Sequence, residues 1–496
     1  MEERYIAAVD LGTSKIALTV ARVYGESVEI IFYKDTPSDC VRHSKVINPK
    51  RAAAPLKEII RDAEEELGIK ILQVVIGLPR FNVRQETASA SMECNNASAC
   101  ISQEDVDAIK NLALDTYPLE NPDKEEIYGA VTQSFSTDDM INLPEEDIVG
   151  MASDKLEGNF KIFVGPRKAV TNIDIMLNYA GVAPARKFFL PKATADAVLS
   201  YEEKENGVAL IEMGAGVTSL SIYQRGILRQ YTAIPFGGKV ITTDIKFVCG
   251  FKEALAENIK MAYGACMPDR LLSMKDKIIQ VEYNEDGGNK QVEVKYLSEI
   301  ITARVREIVE ALLYKIQESG YSDKLRNGIV LTGGCANLTG CANFIKELSG
   351  YNVRIGYPRS KFISASGYPG LSETSAAASV GMLLLAKEDI HLNCTTEPEV
   401  KAETKPETEP EVVEIPVVSD KVPAPEEATG DGTSTERSPA QETVAEPEFQ
   451  GTLFPEMEAE KPARKEEPSR KKAGRRYIYW GERVIDKVSS LFESME

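Results

Sequence analysis

The chain has 496 residues, 43% of them apolar and 27% charged, with a formal net charge of −19. That length predicts two or more domains with ordinary buried cores, and the acidic balance argues against a general nucleic-acid binder, which carries a basic balance. Eight scattered cysteines without a CxxC pair, and only two histidines (His43 and His391), read as reduced thiols and leave no pattern for a histidine metal site.

Residues 5–9 read as an apolar strand rather than a secretory leader. No apolar run approaches the ~18 residues needed to span a bilayer, and the longest, 376–386, reads as a buried helix. After the first strand come a Gly-Thr-Ser turn and a second strand over 16–23. A helix is predicted over 52–67, with Leu56, Ile59, Ile60, Ala63 and Leu67 on one face, then a strand over 71–76. From 81 to about 161 the pattern changes to polar strand-like sequence, a helix near 103–114 and acidic loops, which reads as an inserted subdomain. A helix over 169–180 stops at Gly181, and strands over 208–211 and 218–223 repeat the opening strand–turn–strand arrangement.

Both turns suit a polyphosphate. In Asp10-Leu11-Gly12-Thr13-Ser14-Lys15, Gly12 lets backbone approach an anion, N–H groups and hydroxyls donate to it, and Asp10 is placed to hold a hydrated Mg²⁺. Glu212-Met213-Gly214-Ala215-Gly216-Val217-Thr218 repeats the design, with Glu212 as the second acid for the metal. Two such turns face to face form a two-sided nucleotide cleft, unlike a Walker or dinucleotide loop, neither of which is present. A third Gly-rich turn, with Gly333, Gly334, Cys335 and Asn337, follows a buried strand and offers flat backbone to a base. Glu257 and Lys260, three apart on a helix over 254–264, read either as ribose or purine contacts or as a surface salt bridge.

Together with Ile234 to Ile245 (which includes Gly238), Ala256 to Gly264, and Gly328 to Gly340, these motifs resemble the actin-like ATPase superfamily and, more closely, the FtsA family of cell division proteins. The resemblance implies an α/β, two-lobed RNase H-like fold with an inserted α+β subdomain, a disordered linker and a C-terminal amphipathic helix. The implied division is a first-lobe core of 1–83, 163–200 and 361–392; an insertion of 84–162 that takes part in self-association; a second-lobe core of 201–241 and 318–360; and an upper subdomain of 242–317 that binds the FtsZ C-terminal peptide. Implied ligands are ATP and Mg²⁺. Implied partners are FtsZ, other copies of the chain, anionic lipids and later divisome proteins, with no nucleic acid.

The second turn departs from the family pattern Asp-x-Gly-Gly-Gly-Thr-Thr-Asp at Glu212, Ala215, Val217 and Ser219. A displaced metal shell and a lost hydroxyl argue against fast hydrolysis. No general base stands out, and Thr194 is only a polar residue near the expected cleft. Arg304 and Arg306, beside the apolar face of a helix over 295–307, are candidates for an acidic peptide, or belong to a solvated charged face.

Residues 397–460 carry 18 acidic and 4 basic side chains and nine prolines, the composition of an extended tether spanning roughly 50 Å or more. A basic run including Arg475 and Arg476 follows, then the chain's one Trp, Trp480, then Val484, Ile485, Val488, Leu491 and Phe492 at helical spacing. This predicts, over 474–496, an in-plane membrane helix, or a helix that docks on a protein. The other open readings are a metabolite kinase and a pilus-assembly actin homologue.

Overall fold

A computed structural model of the chain describes residues 3–25, 27–94, 100–271, 276–282, 289–359 and 367–397. The linker and terminal-helix expectations, with Arg475, Arg476, Trp480, Val484, Ile485, Val488, Leu491 and Phe492, lie outside these residues.

The architecture repeats one sheet twice. In the first, Arg4–Leu11, Lys15–Tyr24 and Ser27–Pro37 form an antiparallel meander; Gln73–Gly77 then adds parallel to Arg4–Leu11, and Ala183–Phe188 adds parallel to Gln73–Gly77. The second follows the same order: Val208–Met213, Thr218–Gln224 and Ile227–Ile234 form the meander, and Ile329–Thr332 and Val353–Ile355 add in parallel. Both meanders even shift register between second and third strands, at Val20/Ala21 and at Ile222/Tyr223. The third strand of each meander is absent from the sequence reading, because both alternate with many half-exposed positions rather than forming apolar runs.

The central strands are nearly continuous in apolar residues because helices and neighbouring strands cover both faces. Pro49–Leu67 starts at an Asn48 cap with Pro49 in its first turn, ends at left-handed Gly68, and packs against Arg167–Ala180. The apolar segment expected as a buried helix is one: Ala377–Lys387 lies against Leu190–Val198. That contact is so close that a Cβ on Gly381 would meet the Ala193 carbonyl oxygen at 1.9 Å.

Within the region expected to be inserted, Arg84–Glu93, Lys155–Pro166 and Glu125–Ser136 form a separate three-stranded sheet. Gln103–Thr116, opened by a Ser102/Asp105 capping box, packs on it. Ile101, Val106, Ile109, Phe135 and Phe160 form a core of its own there.

The described chain closes back on its beginning. Cys394 donates its N–H to the Tyr5 carbonyl (2.8 Å), and its own carbonyl accepts from Leu72 and Gln73 (2.9 and 3.1 Å). The Arg4 guanidinium bonds the carbonyls of Lys387, Asp389 and Leu392, and Gln73 Nε2 reaches the Thr396 carbonyl at 2.9 Å.

Candidate functional site

Asp10 and Glu212 are each the last residue but one of the central strand in their sheet, so the two acid-bearing turns occupy equivalent places. The turns meet. A Cβ on Gly216 would lie 2.7 Å from both Cγ2 and Oγ1 of Thr13, and the Gly216 carbonyl is 2.9 Å from His43 Nδ1. Only a glycine permits that approach without displacing Thr13. The second turn also builds the start of the helix Gly238–Cys249, whose Gly238 and Lys239 N–H groups donate to the carbonyls of Gly214 (3.0 Å) and Ala215 (2.8 Å). Val217 is buried, and Thr218 Oγ1 donates to the Phe236 carbonyl at 2.8 Å.

The third turn closes on the second. Gly333 has φ +86° and its α-carbon faces the Met213 backbone, while the position of a Gly334 Cβ is open space. Cys335 is buried with Sγ 3.5 Å from the Gly214 carbonyl, and burial pushes its thiol up to about 11, so it stays neutral. Asn337 is tied to Glu373 and Thr374, both at 3.2 Å.

Of the two readings of Glu257 and Lys260, the salt bridge is present at 2.8 Å, but its lysine is buried rather than at the surface. Lys260 is buried and donates to the Gly238 carbonyl (2.9 Å), Thr242 Oγ1 (2.8 Å) and Glu257 Oε2 (2.8 Å), which uses its three protons. The pair thus fixes the helix Glu253–Tyr263 to the start of Gly238–Cys249, beside the three turns.

Lys15 departs from the group. Its ammonium is held by Asp35 (2.6 Å), Tyr33 (3.1 Å) and Ser375 (3.3 Å) rather than offered freely to the turn, and Ser14 is exposed. Gly12 makes the tight turn itself, since a Cβ there would meet the Lys15 carbonyl oxygen at 2.7 Å.

The acid pair differs most from expectation. Glu212 is engaged at both oxygens, by Arg80 Nη2 at 2.8 Å and by Thr194 Oγ1 at 3.0 Å. Asp10 is buried with Oδ1 lacking a partner, as is Arg80 Nε. Burial alone opposes charge on Arg80, yet the facing Glu212 and Asp10 carboxylates outweigh it and raise its pKa. A hydrated Mg²⁺ between the turns would lean on both acids through water, and here the positive Arg80 guanidinium already occupies the Glu212 carboxylate and faces Asp10. The donor set therefore does not fit the expected Asp10/Glu212 metal site, and among the described residues no cluster of three or more metal-ligating side chains occurs.

Arg80, Thr194 and His43 come from loops and a helix far from the turns in sequence. Arg80 leaves the Gln73–Gly77 strand, whose parallel pairing with Arg4–Leu11 delivers both Arg80 and Asp10 to the same sheet edge. No periodicity announces a buried arginine; the sequence signal is only a Pro-Arg step after an apolar strand.

Arg304 and Arg306, the candidates for an acidic peptide, each face acidic partners within the chain. Both lie on the helix Val294–Glu318, longer than expected, but residues two apart do not share a face. Arg304 donates to both oxygens of Asp244 (2.6 and 3.0 Å) and to Glu307 (2.6 Å). Arg306 lies 3.8 Å from Glu310 and over the Phe344 ring.

The family model described as "Cell division protein FtsA" matches residues 209–381, which include the second and third turns and the Glu257–Lys260 helix. A cell division protein FtsA from Neisseria meningitidis serogroup B is 30% identical over 361 residues, covering 72% of this chain and 85% of the relative. One from Borreliella burgdorferi is 30% identical over 394 residues, covering 79% and 93%. Among solved structures, a PilM–PilN type IV pilus biogenesis complex chain aligns with TM-score 0.54 over 76% of this chain and 98% of that one. At 15% identity this shows shared architecture alone, and it agrees with the expected actin-like α/β fold. With relatives of this identity matched over most of their length, the chain belongs to the FtsA family of cell division proteins.

Proposed function

We propose that the chain binds an adenine nucleotide between its two hairpin turns, self-associates in an actin-like way, and anchors the FtsZ ring to the inner face of the cytoplasmic membrane at the septum, where later divisome proteins join. The observation that carries the nucleotide reading is the meeting of Gly216 with Thr13, flanked by the open face of Gly334 and by the buried Lys260 with its half-exposed partner Glu257. Glycine backbone from three turns then cradles phosphates and base, as the N–H groups of such turns favour. Residues 84–162 serve self-association in this reading, and 242–317 receive the FtsZ peptide. Arg304 positions its helix there through Asp244, while the half-exposed Arg306 remains the candidate contact. The tail beyond residue 397 supplies the tether and, over 474–496, the lipid-binding helix, with Trp480 at the interface.

The test combines purified full-length chain, FtsZ, ATP and vesicles containing anionic lipid. FtsZ should sediment with vesicles only when the chain is present, and removal of 474–496 should abolish this. Recruitment unchanged by that deletion would overturn the anchor. Absence of any ATP-induced rise in melting temperature would overturn the nucleotide site.

A further inference from the structure

Resting on the nucleotide reading above, we infer that the Arg80 guanidinium is a built-in cation that takes over charge compensation between the two acid-bearing turns, so that nucleotide binds without a divalent metal.

Three observations lead there. Glu212 gives one oxygen to Arg80 at 2.8 Å and the other to Thr194 at 3.0 Å, so the second turn's acid already has a cationic partner inside the protein. Glutamate in place of the family's aspartate adds one methylene of reach toward an arginine delivered from the other sheet. Arg80 Nε and Asp10 Oδ1 are both buried and both lack a partner. Both atoms are closed to solvent, so the guanidinium acts on the acids and on a bound phosphate through its charge rather than through a bond from Nε–H.

Charge favours the same conclusion. Asp10, Glu212 and Arg80 together carry −1, against −2 for an acid pair alone. A divalent ion placed beside Asp10 would also face the positive Arg80 guanidinium in a buried setting, where like charges repel more strongly than in water. Arg80 acts here as a positioning and compensating residue, not as a catalytic one.

The experiment is titration of fluorescent N-methylanthraniloyl-ATP into the full-length chain, once with excess Mg²⁺ and once with EDTA. The wild-type dissociation constant should change by less than about threefold between the two. Arg80→Lys, which keeps the charge, should behave alike. The paired variant Arg80→Met/Glu212→Asp, which removes the cation and shortens the acid, should bind at least about tenfold more weakly in EDTA than in Mg²⁺. Wild-type binding that collapses on chelation overturns the inference while leaving the nucleotide reading intact, as does a paired variant as indifferent to metal as the wild type. Should the paired variant fail to fold, the wild-type comparison decides alone. No saturable binding in either condition overturns the nucleotide reading and this inference with it.

Discussion

The two hairpins share topology, register irregularity and the placement of an acid at the penultimate position of the central strand, yet those acids live differently. Asp10 keeps a buried oxygen unmet, whereas Glu212 is met twice, by a guanidinium and a hydroxyl. The backbone of the repeat has been kept while its side-chain chemistry has parted. One turn leaves an atom without a partner, and the other has been drawn into the framework that holds the two sheets together.

The sharpest way to break this comparison is to remove one partner of the satisfied acid. Arg80→Ala strands a buried carboxylate and should cost about 3–5 kcal/mol in denaturant unfolding. Asp10→Ala should cost less, because Arg80 then keeps Glu212 as its bonded partner; equal losses would mean the two acids are not distinguished in this way. Next, Gly216→Ala should cost about 1–3 kcal/mol, through the clash with Thr13. Combining it with Thr13→Ala, which removes both clashing atoms, should recover part of that loss, a coupling measurable in a double-mutant cycle. Thr194→Val, which takes one hydrogen bond from Glu212, should cost about 1–3 kcal/mol by the same measurement. Smallest in stability is Gly334→Asp. It enters open space, so the melt without ligand should move by about 0.5 kcal/mol or less, while the ATP-induced stabilisation disappears. Retained stabilisation would take the third turn out of the site.

The sequence made the glycine turns readable because turn chemistry is local: an acid, a glycine step and two apolar runs fit in a dozen residues. The helices Pro49–Leu67 and Ala377–Lys387 were readable for the same reason, from periodicity and unbroken apolar content. Arg80 was not, since its partner lies 132 positions away (212 − 80) and only the fold joins them. Arg304 stayed open between a peptide contact and a solvated charged face because Asp244, on another helix 60 positions away, cannot be paired with it by spacing. Lys260 seemed to sit on a surface because a three-residue interval says which face two side chains share, not whether that face is covered.

The knot of bonds joining Tyr5, Leu72 and Gln73 to Cys394 has a mechanical meaning. A chain pulled from beyond residue 397 does not first tug on a loop. The load passes through Cys394 into two adjacent strands of the first sheet, with Arg4 clamping the three carbonyls just upstream. Force arriving there is shared among several bonds at once, as at a cable's anchor plate, and the lobe that carries Asp10 is the one that feels the strain.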